Sequence, residues 1–393
     1  MRRIDLEPRA DWKQKAEAAG FDFHTIDGAP YWDESHCYAF SLEQIENDIE
    51  APTEELHDMV LDMVGDIVSN ERLLRQLDIP EAYWNWILES WRNQEPHLYG
   101  RMDFAYDGSG PAKLLELNYD TPTSLFEAAF FQWQWLDDMQ QRGTFPLMAD
   151  QYNSIYESLV EAFSLIAKRL QRPLYFAAVR SSSEDQGTID YLRDCAVQAG
   201  IECSHLAMED IGITADGRYT DLADNAIGTL AKLYPLEDLM REPFGQYLPT
   251  AGMQLLEPAW KAVLSNKGIL PLLWERHAGH PNLLMAEFVD STQTPAPGWV
   301  VKPLYSREGA NIRICLPDGR EESAPGPYMG ACIRQAFHPL AEFNGEHVVL
   351  GSWVVGDRPC GLGLRADRSR ITRDSARFIP HVILEDTGGV LVA

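Results

Sequence analysis

No C-x-x-C pair occurs in this sequence. Its six cysteines (Cys37, Cys195, Cys203, Cys315, Cys332 and Cys360) are scattered through 393 residues, a pattern of reduced thiols rather than of a disulfide framework. No run approaches 18 uninterrupted apolar residues, so no transmembrane helix is expected. The opening Met1-Arg2-Arg3-Ile4-Asp5 leads into charged residues, not the apolar stretch of a secretory signal. A soluble, cytoplasmic protein is the expectation. Basic residues are scarce: 33 Lys and Arg face 60 Asp and Glu, a net charge of −27. That deficit argues against nucleic acid as the main partner, because phosphate-backbone affinity comes from Lys and Arg. It suits solubility first, and cationic or small neutral substrates second.

Familiar catalytic signatures are missing as well. There is no G-x-x-x-x-G-K-[ST] loop, no H-E-x-x-H and no G-x-S-x-G. The pair His277-Ala-Gly-His280 reads as ordinary histidines. What the chain does have is apolar material, 45% of residues, with 11 Trp, 15 Tyr and 15 Phe. That is enough for a sizeable core and a walled cleft, and the length suggests two or three domains.

Residues 42–98 read as helical, with Leu56, Met59, Val60, Met63, Val64 and Ile67 at three- and four-residue steps. A hairpin follows, Arg101-Met-Asp-Phe-Ala-Tyr and Lys113-Leu-Leu-Glu-Leu-Asn118 around Asp107-Gly108-Ser109-Gly110. Helices are expected over 124–139 and 151–169. An apolar strand over 173–179, a helix over about 184–199 stopped by Gly200, and a strand over 201–206 make a βαβ unit. Ligands of such units lie beyond the carboxyl ends of strands, here at Ser181-Ser-Ser-Glu184-Asp185. The Gly-rich turn of a dinucleotide site is absent. The last third reads as a mainly antiparallel sheet.

Three constellations hold chemistry. Arg101-x-Asp103 and Glu116-x-Asn118 each place two polar side chains on one strand face, hard oxygen donors that suit Mg²⁺, or else an Arg–Asp pair on a surface hairpin. Lys302-Pro-x-x-x-Arg307-Glu308-Gly309 sets two cations and a carboxylate around a loop, suited to a polyphosphate or simply a charged hairpin. Lys267 adds a further cation. Glycine-flanked strands from Gly351 present Arg365.

These stretches, with Leu115-Glu-Leu-Asn-Tyr-Asp-Thr-Pro-Thr123, Lys232-Leu-Tyr-Pro and Trp260-Lys-Ala-Val-Leu-Ser-Asn-Lys267, resemble the glutathionylspermidine synthase family, and within it the short, synthetase-only bacterial members. The resemblance implies an α/β (α+β) chain: a permuted ATP-grasp fold with a Rossmann-like preATP-grasp domain. Its parts would be a helical region with the catalytic strand pair (1–168), the Rossmann-like domain (169–255) and the lid and nucleotide region (256–393). It implies ATP-dependent ligation of a carboxylate to an amine, with ATP and Mg²⁺ as cofactors and small-molecule peptide and amine substrates. Asp103, Glu116, Asn118 and Glu308 would hold Mg²⁺. Lys267 and Lys302 would face the phosphates, with Arg307, Gly309, Gln335 and Arg365 completing the nucleotide site, Gln335 on the adenine side. Arg101 would face the transferred phosphoryl group. Thr121 and Thr123 stand where the family has peptide-binding serines, and Glu184-Asp185 where it has two glutamates for the amine. Bifunctional members carry an amidase domain that has no counterpart among these motifs, so no amidase activity is expected. A non-catalytic Mg·ATP scaffold or sensor is the alternative; a carboxylate-pair hydrolase is suggested by composition alone.

Overall fold

The computed structural model describes residues 1–385 apart from Asp27 and 291–293. Among them, no helix is long and apolar enough to cross a membrane. Helix Ala51–Val68 forms where the three- and four-residue stripe requires it, burying Leu56, Val60, Met63, Val64 and Ile67, with Pro52 in its first turn. Helix Trp84–Arg92 packs beside it and sets Trp91 edge-on to Trp260.

The βαβ reading holds. Strand Leu174–Ala178 pairs in parallel with Cys203–Ala207 on one side and Thr229–Leu233 on the other, and Gln254–Leu256 completes the four-stranded sheet. The connecting helix, Ser183–Gln198, begins where the Ser182 hydroxyl accepts the Asp185 N–H. It stops at Gly200, whose φ is +76°.

 The left-handed backbone at Gly200 lets Ile201 N–H reach back to the Ala196 carbonyl, closing the helix and turning the chain into the next strand.

Two antiparallel sheets face each other across the rest of the molecule. One runs in the order Ala286–Val289, Cys332–Ala336, Trp299–Pro303, Arg313–Cys315, Glu321–Ser323. The other runs Arg377–Ile379, Arg358–Asp367, Glu346–Val355, Tyr99–Ala105, Lys113–Asn118. The hairpin from the first third of the chain thus completes a sheet begun by the last third, with Tyr99–Ala105 lying against the fully buried strand Glu346–Val355. The N-terminal end is tied in as well, because Arg2–Asp5 and His36–Phe40 form a sheet with His381–Ile383.

Some boundaries differ from expectation. Residues 124–139 contain a π-helical turn, Glu127–Phe131, before the α-helix Gln132–Gln141. The glycine-flanked strand that presents Arg365 runs from Arg358 to Asp367. Its glycines are not turn residues: a Cβ on Gly361 would lie 2.5 Å from Ile155 Cγ1, so the side chain is missing because a helix packs there.

Candidate active site

The site is built on strand register. Arg101 stands opposite Asn118 and Asp103 opposite Glu116, and alternation turns all four side chains to one face. Arg101 Nε donates to Asp103 Oδ1 at 2.7 Å, Nη2 donates to Oδ2 at 3.2 Å, and Nη1 donates to the Thr123 carbonyl at 2.6 Å. The guanidinium also lies over Trp353, 5.6 Å from the ring centroid. Every direction of that fork is therefore fixed.

Arg101 crosses Gly351 on the neighbouring strand, where a Cβ would lie 2.7 Å from Arg101 Cδ. Gly351→Ala is expected to push the guanidinium off its fork and lower kcat about tenfold, in line with overpacking penalties of roughly 1–3 kcal/mol. An unchanged kcat would mean that the position of Arg101 does not matter.

Asp103 also accepts from Arg365 Nη2 at 2.6 Å, so its carboxylate sits between two guanidiniums. Glu116 pairs with Lys267 at 3.3 Å. Burial pushes the Glu116 carboxyl up, but Lys267, Lys302 and Arg365 outweigh it and hold the pKa at about 2. Lys302 Nζ donates to Gln335 Oε1 at 2.8 Å and the Leu115 carbonyl at 3.0 Å. Burial lowers its pKa to about 8, against the pull of Glu116. Gln335 itself is committed to Lys302 and the Leu114 carbonyl, which makes it a holder of the lysine.

A cavity of about 120 Å³ lies between the two antiparallel sheets. Asp103, Glu116, Lys267, Lys302 and Arg365 form its polar end, and Val300, Ile314, Phe337 and Ile371 are among its apolar walls. Gly309 lines it too; its φ is +71°, and a Cβ there would meet Ile371 Cγ2 at 2.5 Å.

The donor set fits Mg²⁺ in part. Asn118 Nδ2 lies 3.3 Å from Asp103 Oδ2 and 3.5 Å from Glu116 Oε1, so one amide bridges two carboxylates. A half-turn of that amide presents its oxygen instead, giving three hard donors. Among the described residues, no three His, Cys, Asp or Glu side chains gather as a metal site. The third donor here is an amide, and Glu308 lines the same cavity. Burial raises the Glu308 carboxyl, with Asp374 and Asp185 adding to the rise.

The loop after Asn118 is tied to the parallel-sheet unit. Arg307 donates to Thr121 Oγ1 at 2.8 Å and pairs with Glu237 at 2.7 Å. Asp120 accepts from Lys232 Nζ at 2.6 Å and the Leu236 N–H at 2.8 Å. Glu184 and Asp185 occupy the first turn of helix Ser183–Gln198. Burial raises both carboxyls, opposed by a Thr123 hydrogen bond at Glu184 and a Ser182 hydrogen bond at Asp185.

Sequence reasoning missed Glu127. It is wholly buried; Tyr31 donates to its Oε1 at 2.6 Å, and its Oε2 has no hydrogen-bond partner. Burial, then the charge of Glu184, raises its pKa to about 8. The available signal was a single carboxylate inside the apolar run Leu125-Phe-Glu-Ala-Ala-Phe-Phe131. Glu237, which anchors Arg307, was missed for want of any motif.

Residues 3–384 match the model of the glutathionylspermidine synthase preATP-grasp family. The chain belongs to this family. It is similar to a putative acid–amine ligase of Haemophilus influenzae, 40% identical over 397 residues, covering 97% of this chain and 99% of that one. The trypanothione synthetase of Crithidia fasciculata is 26% identical over 81% of this chain, and the bifunctional glutathionylspermidine synthetase/amidase of Escherichia coli 25% over 90%. This member of the family spans 52% and 60% of those two longer relatives. In fold it is similar to a glutathione synthetase-like effector from Globodera pallida, with a TM-score of 0.59 and 9% identity, covering 97% of this chain and 98% of that one. The architecture is thus of the ATP-grasp type, with the Rossmann-like unit at its side.

Proposed function

We propose that this chain is an ATP-dependent carboxylate–amine ligase that joins a glutathione-like peptide to a polyamine-like amine through an acylphosphate. The observation that carries the reading is the register of Arg101, Asp103, Glu116 and Asn118 beside Lys267 and Lys302 in the cleft between two sheets. The family and the acid–amine ligase relative support it.

A carboxylate repels nucleophiles until its charge is removed. In the proposed reaction its oxygen attacks the γ-phosphorus, the bond to the bridging oxygen breaks, and ADP leaves. The amine nitrogen then attacks the acyl carbon; the C–N bond forms, phosphate departs, and the nitrogen gives up a proton. Lys267, Lys302 and Arg365 neutralise phosphate charge, and Arg101, held in place, faces the transferred phosphoryl group. Asp103, Glu116 and Asn118 would hold Mg²⁺, which would supply further charge neutralisation. Thr121 and Thr123 offer hydroxyls to the peptide. Glu184, Asp185 and Glu127 receive the ammonium: three desolvated carboxyls with raised pKa values gain most from an incoming cation.

At about 120 Å³ the cavity is smaller than the roughly 300–1,000 Å³ of most ligand clefts. Nucleotide entry therefore needs the loop at 305–311 to swing out, a gating step common in such sites. Glu184→Gln tests the amine side. KM for the amine should rise about tenfold or more, with ATP binding spared. Equal loss of both would make the first turn of helix Ser183–Gln198 a structural element.

A further inference from the structure

A second cleft, about 700 Å³, lies on the outer face of the molecule where helix Ser183–Gln198 meets helix Ile155–Ile166. Its walls include the rings of Phe126, Phe130, Trp133, Tyr156 and Tyr191. Four of them form a continuous train: Tyr191 to Phe126 at 5.9 Å, Phe126 to Phe130 at 5.4 Å, and Phe130 to Trp133 at 6.0 Å between centroids. Trp133 is 54% exposed, unusual for so large an apolar side chain.

The charged side chains of the lining are both acidic. Glu157 and Asp194 stand on the two different helices, and among the described residues neither has an ion-pair partner. Asn153 donates its amide to the Ala129 carbonyl at 3.1 Å and leaves a buried Oδ1 with no partner. No Lys or Arg lines the cleft. Among the described residues none of its rings has a cation over it. Aromatic faces attract organic cations, and separated carboxylates select ligands with more than one positive charge.

We propose that this cleft is a binding site for a linear aliphatic polyammonium ion. Its methylene segments lie along the Tyr191–Trp133 train, and its ammonium groups meet Glu157 and Asp194. A monovalent alkylammonium satisfies only one carboxylate, and an inorganic cation gains little from the rings. The site stands on its own geometry and does not depend on ligation.

The test is equilibrium dialysis of the full chain against spermidine, at constant ionic strength and without nucleotide. Using the Glu184→Gln protein throughout weakens competition from the carboxylates of the proposed active site. Binding should persist in that protein. It should weaken about tenfold on adding Trp133→Ala, and about tenfold on adding Glu157→Gln with Asp194→Asn, with melting temperatures unchanged because these side chains are exposed. Affinity unmoved by both additions would overturn the proposal. So would a lysine-rich peptide that binds where spermidine does not, which would make the cleft a protein-docking surface. Ligase activity is read separately by ADP release, so failure of one assignment is distinct from failure of the other.

Discussion

Replacing Arg101 by Ala is expected to lower kcat by about 10²-fold or more, the scale seen when a preorganised charge-stabilising donor is removed. The reason is geometric. Arg101 is buried, its fork is held by Asp103 and the Thr123 carbonyl, and its face is held by Trp353. A cation fixed so firmly needs no reorganisation when charge moves past it. The truncation also leaves Asp103 with only Arg365 as a paired guanidinium. Arg101→Lys separates the two effects, because it keeps a charge but loses the bidentate geometry. The lysine variant should fold and bind Mg·ATP normally yet remain at least tenfold slow. Turnover at the parent rate in either variant would remove Arg101 from the reaction.

Lys302→Ala is expected to weaken Mg·ATP binding about 10- to 150-fold, the equivalent of about 1.5–3 kcal/mol for a hydrogen bond to a charged group. It should be read as a lost thermal shift. Burial gives this lysine a pKa of about 8. In the nucleotide-free protein its charge is present below that pH and lost above it. Affinity for Mg·ATP should therefore fall as pH rises through about 8, and Lys302→Arg should flatten the fall, since arginine stays charged. A full thermal shift in the alanine variant, or the same pH dependence in the arginine variant, would refute the assignment.

Much of this site was legible in the sequence because strands have a period of two. Arg101-x-Asp103 and Glu116-x-Asn118 needed only a hairpin to share a face, and Asp107-Gly108-Ser109-Gly110 announced the turn. The βαβ unit was legible for a similar reason: an apolar strand, a capped helix and Gly200 follow one another locally. What escaped is non-local. The contact of Tyr99–Ala105 with Glu346–Val355 joins residues some 250 positions apart, and no periodicity records it. The glycines of 351, 361 and 363 read only as residues flanking strands, whereas each marks a place where another side chain presses close. Glu127 was hidden by its apolar neighbours, and only the fold brings Tyr31 and Glu184 to it. The Glu308 loop was legible as chemistry; its carboxyl lines the same cavity, near the charges of Asp374 and Asp185 that the sequence did not announce.

The acidity of the chain also takes a sharper meaning. With a net charge of −27 the protein gathers Lys267, Lys302 and Arg365 around one small cavity, with Arg101 behind them on Asp103. These cations are few but desolvated, so each acts more strongly than a surface lysine. The excess of carboxylates elsewhere favours approach of a cationic amine, and kcat/KM for the amine should fall with added salt.

The most direct measurement of the central claim is ADP release from Mg·ATP across a panel of peptides crossed with amines, followed by mass spectrometry of the products. The ligase account predicts ADP formed in step with a new amide, only where a carboxylate peptide and an amine are both present, and about 10²-fold slower or more in Arg101→Ala. Tight Mg·ATP binding without ADP release for any pair would point instead to a non-catalytic nucleotide-binding scaffold and would contradict it.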